Sequence, residues 1–540
     1  MAPSGLATIM PTIDYDIFLT LKSCMVGGQE IELKFLASSA GLEAMLKLVL
    51  FAPLRNADAQ PQVSTYFDTP DHAIQKAGFV LRLRQVGGGI IQTVKQEGAS
   101  LARGEWEAAL DTHELDLERA ALTPLGKLLA DEELRARIVP LFTTQINRRK
   151  AEVTFARSVI EVALDEGEVI AGEARTPIRE IELELKSGGR HGLFALARKL
   201  VRSAPVSLSL ISKGERGYRL AAGVWGAPVK MSQPSLDARM SAAESFAAIA
   251  HACLRQMMLN GPAFDNGQIV EAVHQTRVAI RRLRAALALF RPVIADAAYP
   301  ALAADLKWLS DHMGATRDID VLLTETIEPA LAREPQMPGL AELAVFISLR
   351  QEASRLVLRE AMDSPRGRKL MLDLLLWMED GPWRRKAMAL RTEPENLKHL
   401  LARRLKGSRK KLAALGENLE SLPEAQMHEV RIRAKKLRYQ AAFFDALARE
   451  GKGAKRYRSL VDALERIQET LGVVHDAEAT AAFLEEQARN AVQFGEDHNP
   501  LVLFAAGRLA GVHPDREKLV ARAARALDSA LATKPFWTKL

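Results

Sequence analysis

The sequence is poor in cysteine, in aromatic residues and in long apolar runs. Its 540 residues include two cysteines, Cys24 and Cys253, too few for a disulfide framework and typical of a reducing compartment. Aromatic residues make up 6% of the chain, which argues against a large base-stacking surface. The sequence has no run of about 18 apolar residues, so it predicts no membrane-spanning helix. Asp14 and Asp16 interrupt the first apolar stretch, which argues against a secretory signal.

The excess of positive charge is confined to the C-terminal part of the chain. Residues 1–231 contain 28 Lys+Arg and 28 Asp+Glu, whereas residues 232–540 contain 46 and 39. The second part therefore accounts for the whole formal net charge of +7. A basic domain beside a neutral one predicts a polyanionic partner, with nucleic acid, a membrane surface and polyphosphate all open at this point.

The first half of the chain alternates apolar and charged residues, the period of half-buried strands. The clearest runs are residues 31–35, 80–84, 160–164 and 181–185, and weaker ones are residues 64–67, 90–95, 105–110 and 206–212. Turn residues follow at 87–89, 165–167 and 187–189. Helical spacing is restricted to stretches near 38–51, 115–138 and 190–202. These patterns predict an α+β domain with about eight largely antiparallel strands.

The second half changes to a helical period of 3.6 and repeats itself. Glycine, proline and serine cluster at residues 227–234, and from about residue 240 the pattern predicts roughly ten helices in an all-α bundle. The motif at 274–284 returns at 428–438, and the motif at 309–318 returns at 467–476. Because both matches keep the same order and nearly the same offset, they indicate a duplicated helical unit with pseudo-twofold symmetry.

Several strands of the first half carry like charges along a single face, because residues two apart point to the same side. These sets are Glu30, Glu32 and Lys34; Arg82 and Arg84; and Glu180, Glu182 and Glu184. A solvated polar face is the ordinary explanation of such a strand. Repeated like charges are unfavourable without counter-charges, however, and closing the sheet would set carboxylates against cations across a lumen. Such a lumen matches a complex of a divalent metal with polyphosphate and predicts phosphoryl transfer.

An ordered series of motifs over residues 27–222 resembles the CYTH domain of the triphosphate tunnel metalloenzymes. The series consists of Glu30-x-Glu32-x-Lys34, Tyr66-Phe67-Asp68-Thr69, Leu81-Arg82-Leu83-Arg84, Lys95, Glu105, Arg148, Asp165, Glu180-x-Glu182-x-Glu184, Ser212-Lys213 and Gly217-Tyr218. The resemblance implies an eight-stranded antiparallel barrel whose tunnel hydrolyses or cyclises triphosphate substrates with a divalent metal.

The resemblance also implies roles for individual residues. Mg²⁺ or Mn²⁺ would be held by Glu30, Glu32, Glu182 and Glu184. Triphosphate would be bound by Arg82, Arg84, Lys95, Arg148 and Lys213. The catalytic set would be Lys34 at the tunnel floor, with Glu105 and Asp165 positioning metal or water. Arg149 adjoins Arg148, and alternation allows only one of them to face inward; we expect it to be Arg148.

The N-terminus departs from the pattern of the family, whose Glu-x-Glu-x-Lys motif usually lies within the first ten residues. Here 29 residues precede Glu30, and Met25 offers an alternative start. We therefore expect residues 1–24 to be a misassigned start or an extension. The predicted domains are then residues 25–222 for the tunnel, 223–239 for a linker and 240–535 for the helical bundle.

Each copy of the helical repeat carries a basic stripe, because positions i, i+3, i+7 and i+10 share one helix face. The stripes are His274, Arg277, Arg281 and Arg284 in the first copy, and His428, Arg431, Lys435 and Arg438 in the second. A solvated charged face is the ordinary explanation. Stacked cations favour an anion instead, and the histidines suit hydrogen bonds to phosphate better than a metal site.

The repeated stripe, with Arg317-Asp318 and His475-Asp476 in matching places, resembles the CHAD domain over residues 240–535. That family implies two pseudo-symmetric four-helix bundles with a basic surface that binds inorganic polyphosphate. The eight stripe residues are then the predicted polyphosphate-binding residues. From the residues alone the prediction stops at a polyanion binder.

Together the two resemblances predict a metal-dependent inorganic triphosphatase with a polyphosphate-binding helical domain. We expect a cytoplasmic protein, associated with polyphosphate granules, that has no membrane partner. Three alternatives stay open: a nucleotidyl cyclase or organic triphosphatase on the same barrel, a non-catalytic polyphosphate-binding adaptor, and a nucleic-acid binder, which the few aromatic residues disfavour. The sequence leaves the oligomeric state open.

Overall fold

The computed structural model describes residues 26–98, 102–230, 234, 236, 240–389, 397–449, 453–493, 500–511 and 515–538. The chain divides into two compact units, with the boundary between Trp225 and Gly226. The predicted N-terminal extension, residues 1–24, lies outside the described residues, as does part of the predicted linker. Within the described part of the chain, no helix is both long and apolar enough to cross a bilayer.

In the described part of the first unit nine strands form one sheet, and every pairing is antiparallel. They are β1 (Val26–Ala37), β2 (Gln60–Asp68), β3 (Phe79–Val86), β4 (Gly89–Gln96), β5 (Ala102–Leu110), β6 (Val139–Phe155), β7 (Ser158–Ala171), β8 (Ala174–Ser187) and β9 (Val206–Ser209). The order β5-β4-β3-β2-β6-β7-β8-β1 closes into a ring because β1 also pairs with β5. The predicted eight-stranded antiparallel barrel is confirmed, and β9 adds a short ninth strand on β1.

The hairpins of the barrel use different turn chemistry from one place to the next. Gly87 and Gly88 join β3 to β4 with positive φ angles, as a two-residue turn requires. Ala156 and Arg157 adopt positive φ angles between β6 and β7. The predicted turn at residues 165–167 is wrong, because β7 runs through it. Gly167 is required there for another reason: a Cβ atom would lie 2.0 Å from the Gln145 carbonyl oxygen of β6.

Short helices surround the barrel. They are α1 (Ser39–Leu46), α2 (Ala52–Arg55), α3 (Ala73–Lys76), α4 (Leu117–Ala121), α5 (Gly126–Leu129), α6 (Glu132–Ala136), α7 (Arg190–Ser203) and α8 (Lys213–Ala221), with a 3₁₀ turn at Val49–Phe51. Helix α8 begins at an N-cap, where the Ser212 hydroxyl accepts a hydrogen bond from the Glu215 amide. It packs against β6, β7 and β8, so Lys213 at its first turn is carried to the barrel.

The second unit is helical throughout its described residues. Its helices are α9 (Ala242–Leu259), α10 (Gly261–Asp265), α11 (Ile269–Ile294), α12 (Tyr299–Val321), α13 (Glu328–Arg333), α14 (Leu340–Asp363), α15 (Pro365–Asp380), α16 (Pro382–Ala389), α17 (Leu397–Leu415), α18 (Glu424–Ala442), α19 (Asp445–Arg449), α20 (Ala454–Gln493), α21 (Pro500–Ala510) and α22 (Arg516–Ala532). A π-helix follows α12 at Leu322–Ile327, and 3₁₀ turns lie at Leu419–Ser421 and Phe536–Thr538. The predicted all-α bundle is confirmed.

The two copies of the repeat have matching packing in this unit. In the first copy α11 packs between α9 and α12, and in the second α18 packs between α17 and α20. The two motif helices, α11 and α18, also pack against each other. The duplicated basic stripes are therefore carried by neighbouring helices.

Candidate functional site

The interior of the barrel, which we call the lumen, is lined by charged side chains that alternation brings to one side of each strand. On β1 and β8, Lys34 lies opposite Glu182 and Glu32 opposite Glu184 in the strand register. On β4 and β5, Lys95 lies opposite Glu105. Seven cations and seven carboxylates of the described chain meet in this network: Lys34, Arg82, Arg84, Lys95, Arg148, Lys213 and Arg216, with Glu30, Glu32, Glu105, Glu107, Asp165, Glu180 and Glu182. Glu184 continues the same face of β8 and bonds to Lys186 at 2.8 Å.

Glu182 lies at the centre of one cluster of this network. Its Oε1 atom is 3.2 Å from Lys34 Nζ and 2.6 Å from Lys213 Nζ, and its Oε2 atom accepts a hydrogen bond from Arg148 at 2.5 Å. Arg148 also donates two hydrogen bonds to the buried carboxylate of Asp165, at 2.7 and 2.5 Å. Burial alone would raise the pKa of Glu182, but Lys213, Lys34 and Arg148 together hold that pKa well below its usual value.

A second cluster surrounds Lys95. Its ammonium bonds to Glu30 and lies 3.4 Å from Glu105 Oε2 and 3.8 Å from Glu32 Oε2. Arg82 donates to Glu105 Oε1 at 3.2 Å. Burial opposes ionisation of Glu105, yet the cations Lys95 and Arg82 outweigh it and lower the pKa of Glu105 to about 2. Glu30 behaves in the opposite way: burial, reinforced by Glu32 and Glu105, raises its pKa to about 8 despite Lys95.

The lumen is therefore neutralised by its own charges. A polyphosphate chain offers oxygens to Arg and Lys, and a divalent cation accepts carboxylate oxygens, so a metal–triphosphate complex could replace both halves of each ion pair. Exchanging one ion-pair partner for another avoids leaving a buried charge alone, which is the main cost of opening such a network.

A hydrogen bond between two buried side chains fixes α8 over one end of the barrel. The Tyr218 hydroxyl donates to Asp68 Oδ2 at 2.9 Å, and the same carboxylate accepts from the backbone amides of Ile74 and Gln75 at 2.8 and 2.9 Å. Burial and Asp68 raise the pKa of Tyr218. This contact, together with the packing of the Tyr218 ring on Phe142, links the motif around Asp68 to the helix that carries Lys213.

Matching arginines of the two basic stripes in the helical unit make matching contacts. Arg277 Nη1 lies 3.1 Å from Asp318, and Arg431 Nη2 lies 3.5 Å from Asp476, the matching residue. Arg284 donates to Ser310 Oγ at 3.2 Å. Arg438 donates to Gln468 Oε1, again the matching residue, at 3.2 Å. Gly314 and Gly472 face Arg277 and Arg431, respectively. The duplication seen in the sequence is thus a duplication of side-chain geometry.

The two stripes converge at Lys435 on α18. Burial, together with Arg281 and Arg277 of the first stripe and Arg431 and Arg438 of the second, lowers the pKa of Lys435 to about 7. Burial also lowers the pKa of Arg281, and Arg277 and Arg438 add to the effect. Mutually repelling cations held together in this way are chemically suited to a polyvalent anion. We call these five residues the basic junction.

Known domain families match both the barrel unit and the helical unit. The CYTH domain matches residues 28–218, and the CHAD domain matches residues 248–485. The chain joins a CYTH domain to a CHAD domain. An inorganic triphosphatase of Haemophilus influenzae is 36% identical to this chain over 198 residues, which cover 36% of this chain and 55% of the relative.

Solved structures also resemble parts of the chain. The CHAD domain from the plant Ricinus communis has a TM-score of 0.47 and 30% identity, and the match covers 57% of this chain and 98% of that one. PptA from Streptomyces chartreusis has a TM-score of 0.37 and 18% identity, covering 54% and 99% of the two chains. Both TM-scores lie below 0.5, so neither carries the argument further.

The structure of the CYTH domain brings together the predicted triphosphate and catalytic residues. Arg148 contacts the lumen carboxylates, whereas Arg149 lies 3.3 Å from Glu166 on the other face of β6. Three further charged residues were given no role from the sequence: Glu180, Glu107 and Arg216. Glu180 and Glu107 continue the i, i+2 faces of Glu182 and Glu105, so the same periodicity would have indicated them. The pairing of Arg216 with Glu180 depends on where α8 packs.

The predicted metal ligands fall into two environments. Among the described residues no three carboxylate, histidine or cysteine side chains are grouped as a complete metal site. Glu32 Oε1 is nevertheless buried without a hydrogen-bond partner, and the pKa of Glu184 is raised by burial, with Glu161 and Glu32 contributing. Glu30, Glu32 and Glu184 each have a lysine nearby, namely Lys95, Lys34 and Lys186, so a divalent cation would bind there in exchange for these ammonium groups. Glu182 differs in degree, because three cations surround it.

In the CHAD domain the histidines of the two stripes have related but unequal surroundings. The rings of His428 and His475 lie 4.1 Å apart, whereas the equivalent partner of His274 is Arg317. Burial lowers the pKa of His274, His428 and His475, and the neighbouring cations lower it further. These histidines are therefore neutral hydrogen-bonding groups beside the cationic rows.

Proposed function

We propose that the CYTH domain is an inorganic triphosphatase, hydrolysing tripolyphosphate to diphosphate and phosphate, and that the CHAD domain binds longer polyphosphate. The observation that carries the first part is the lumen in which each proposed phosphate-binding cation is already paired with a carboxylate. The inorganic triphosphatase of Haemophilus influenzae, which is similar over the same domain, supports it.

In this proposal Arg82, Arg84, Lys95, Arg148 and Lys213 bind the phosphate oxygens of the substrate. Lys34, held by Glu182 and Glu32, marks the inner limit of the site. Glu105 and Asp165 orient the cations: Glu105 bonds to Arg82 and Asp165 bonds to Arg148. A water then attacks the terminal phosphorus in line, its P–O bond to the bridging oxygen breaks, and diphosphate leaves.

Glu30, Glu32 and Glu184 are the residues best suited to hold Mg²⁺ or Mn²⁺, with Glu182 available once substrate draws away its cations. Such a metal would neutralise phosphate charge and order the attacking water. Cations and carboxylates lie next to one another throughout the lumen, so a metal and the phosphates would be held side by side. The metal could then contact the phosphate oxygens whose charge it neutralises.

An inorganic substrate is favoured over a nucleotide by the surroundings of the aromatic residues near the lumen. Tyr66 stacks on Phe142 with 4.5 Å between ring centroids, and Phe142 packs against Tyr218 at 5.1 Å. All three rings are buried. They are therefore occupied as core and do not offer a face to a base.

Phosphate release by the full-length protein tests the enzyme proposal. Tripolyphosphate, ATP and long-chain polyphosphate would be compared with Mg²⁺, with Mn²⁺ and with chelator. We expect chelator-sensitive release that is strongest on tripolyphosphate. Glu30→Ala and Glu184→Ala should each abolish turnover, while Glu152→Ala, on an exposed residue of β6, should not. Near-normal turnover in both lumen variants would contradict the metal assignment.

Competition binding tests the CHAD proposal. Labelled long-chain polyphosphate would be displaced by tripolyphosphate, by unlabelled polyphosphate and by RNA at fixed ionic strength, because salt weakens all polyanion binding. Arg281→Ala with Arg438→Ala should reduce affinity, and the exposed Arg333→Ala should not. Preference for RNA would favour the nucleic-acid alternative.

Polyphosphate binding would also account for the proposed cytoplasmic location at polyphosphate granules, which imaging of the tagged protein would test.

A further inference from the structure

Helix α14 carries apolar side chains on two opposite faces. One face is buried against α12, α15 and α21 and includes Leu343, Ile347 and Leu358. On the opposite face Val345, Leu349 and Leu356 are 62, 67 and 62% exposed. Isolated exposed apolar residues are common in proteins. The described part of the chain has 13 exposed large apolar residues, and four of them lie on α14: these three and Val357.

The exposed residues follow the spacing of a helix–helix seam. Glu342, Val345, Leu349, Glu352, Leu356 and Arg359 are separated by alternating steps of three and four residues. This spacing keeps one line of side chains facing a neighbouring helix, as in a coiled coil. A helix that only covered its own domain would carry few large apolar residues along this line, whereas Val345, Leu349 and Leu356 are all exposed on it.

The seam is complementary to itself when its direction is reversed. In an antiparallel pair centred between Arg350 and Gln351, Glu342 meets Arg359 of a second copy. Val345 then meets Leu356, and Leu349 meets Glu352, whose charge Arg355 of the same helix compensates at 2.7 Å. We propose that this chain forms a homodimer through α14, with the two helices antiparallel about a twofold axis. A Val345–Leu356 pair lies on each side of the centre, where each Leu349 contacts Glu352, and Glu342 and Arg359 lie at the ends. Arg359 would exchange its contact with Asp265 of its own chain, 3.1 Å away, for Glu342 of the second copy.

The size of the seam sets the strength of this dimer. The 18 residues from Glu342 to Arg359 span about 27 Å of helix. A single helix pair of that length lies at the small end of specific protein interfaces, so the dimer is weak and depends on concentration. The proposal is independent of the triphosphatase and polyphosphate proposals.

Sedimentation of the full-length protein over a range of concentrations tests the interface. We expect a monomer–dimer equilibrium. Leu349→Glu should weaken the dimer by about tenfold or more, because a buried leucine is lost and two carboxylates are added per interface. Leu122→Glu makes the same change at another exposed leucine, in the first unit, and should have no effect. A protein that stays monomeric at all concentrations, or a dimer insensitive to Leu349→Glu, would overturn the proposal.

Cysteine cross-linking tests the register. In a Cys24→Ser background, Val345→Cys protein and Leu356→Cys protein would be oxidised separately and as a mixture. The antiparallel register places position 345 beside position 356 of the other copy, whereas the two copies of position 345 are about 16 Å apart along the helix. We expect a disulfide-linked dimer only in the mixture. Cross-linking of either variant alone, or no cross-linking in the mixture, would overturn the antiparallel arrangement.

Discussion

The ammonium of Lys213 lies 2.6 Å from Oε1 of Glu182, across the boundary between a helix and the barrel wall. The same Nζ atom is 2.8 Å from both Asp165 and Glu180. One side chain from α8 thus joins carboxylates of β7 and β8. Because Tyr218 ties α8 to Asp68, the packing of a helix outside the sheet determines the charge balance within the lumen.

Replacing Lys213 by methionine should both destabilise the protein and abolish turnover. The change leaves three buried carboxylates with one cation fewer, and breaking a buried ion pair from one side costs about 3–5 kcal/mol. Urea unfolding of the full-length chain would measure this loss, and phosphate release would measure turnover.

Arg149→Met is the matched control for that experiment, since Arg149 pairs with the exposed Glu166. It should change the free energy of unfolding by less than about 1 kcal/mol. Equal stability of Lys213→Met and the parent protein would show that the three carboxylates do not depend on this ammonium.

Tyr218→Phe should destabilise the CYTH domain while leaving its chemistry intact. The variant keeps the ring packing against Phe142 but removes a donor from the buried Asp68 carboxylate, which costs about 1–3 kcal/mol. Urea unfolding would measure the loss, and KM for tripolyphosphate should be unchanged at a temperature where the variant is folded. Tyr299→Phe is the control because its hydroxyl makes a longer, 3.4 Å hydrogen bond. A raised KM would instead show that the hydrogen bond to Asp68, and not the ring packing alone, positions Lys213 for substrate.

Divalent metal should stabilise the protein through Glu32. A cation that binds only the folded state at 100 times its dissociation constant adds about 2.7 kcal/mol. We expect Mg²⁺ or Mn²⁺ to raise the melting temperature of the parent protein and chelator to reverse the effect. Glu32→Gln should lose most of this response, and the exposed Glu152→Gln should keep it. An unchanged response in Glu32→Gln would remove Glu32 from the metal ligands.

Alternation predicted the strands and their charged faces, as at Glu30, Glu32 and Lys34, and the closed barrel was implied by the resemblance to the CYTH domain. The sequence did not predict that β7 continues through residues 165–167, because Gly167 resembles a turn residue until its close approach to β6 is known. It also gave no role to Arg216, since pairing with Glu180 depends on where α8 packs. Local periodicity is visible in a sequence, whereas contacts between elements distant in the chain are not.

In the helical repeat, too, the sequence predicted local patterns but not the contacts between helices. The matched motifs predicted two equivalent stripes, and the structure places Arg277 and Arg431 in equivalent contacts. The convergence of both stripes on Lys435 depends on the packing of α11 against α18, which no motif encodes. The basic junction is therefore a property of tertiary structure.

Polyphosphate affinity should fall as the pH rises through neutrality, because of Lys435. Burial and the four arginines of the basic junction lower its pKa to about 7, so the free protein loses this charge above that pH. A bound polyanion favours the protonated form, and binding then takes up a proton. Above pH 7 the affinity should fall by up to about tenfold per pH unit, the limit for one linked proton.

Lys435→Arg separates this effect from other titrations, because arginine stays charged over the whole range. It should bind with a flatter pH profile between pH 7 and 8.5 and keep high affinity at pH 8. The histidines of the stripes do not produce the same profile, since burial and nearby cations lower the pKa of His274 and His428. Titration calorimetry in buffers of different ionisation enthalpy would count the protons. A parent protein that takes up no proton at pH 8, or an arginine variant with the same slope, would contradict this role for Lys435.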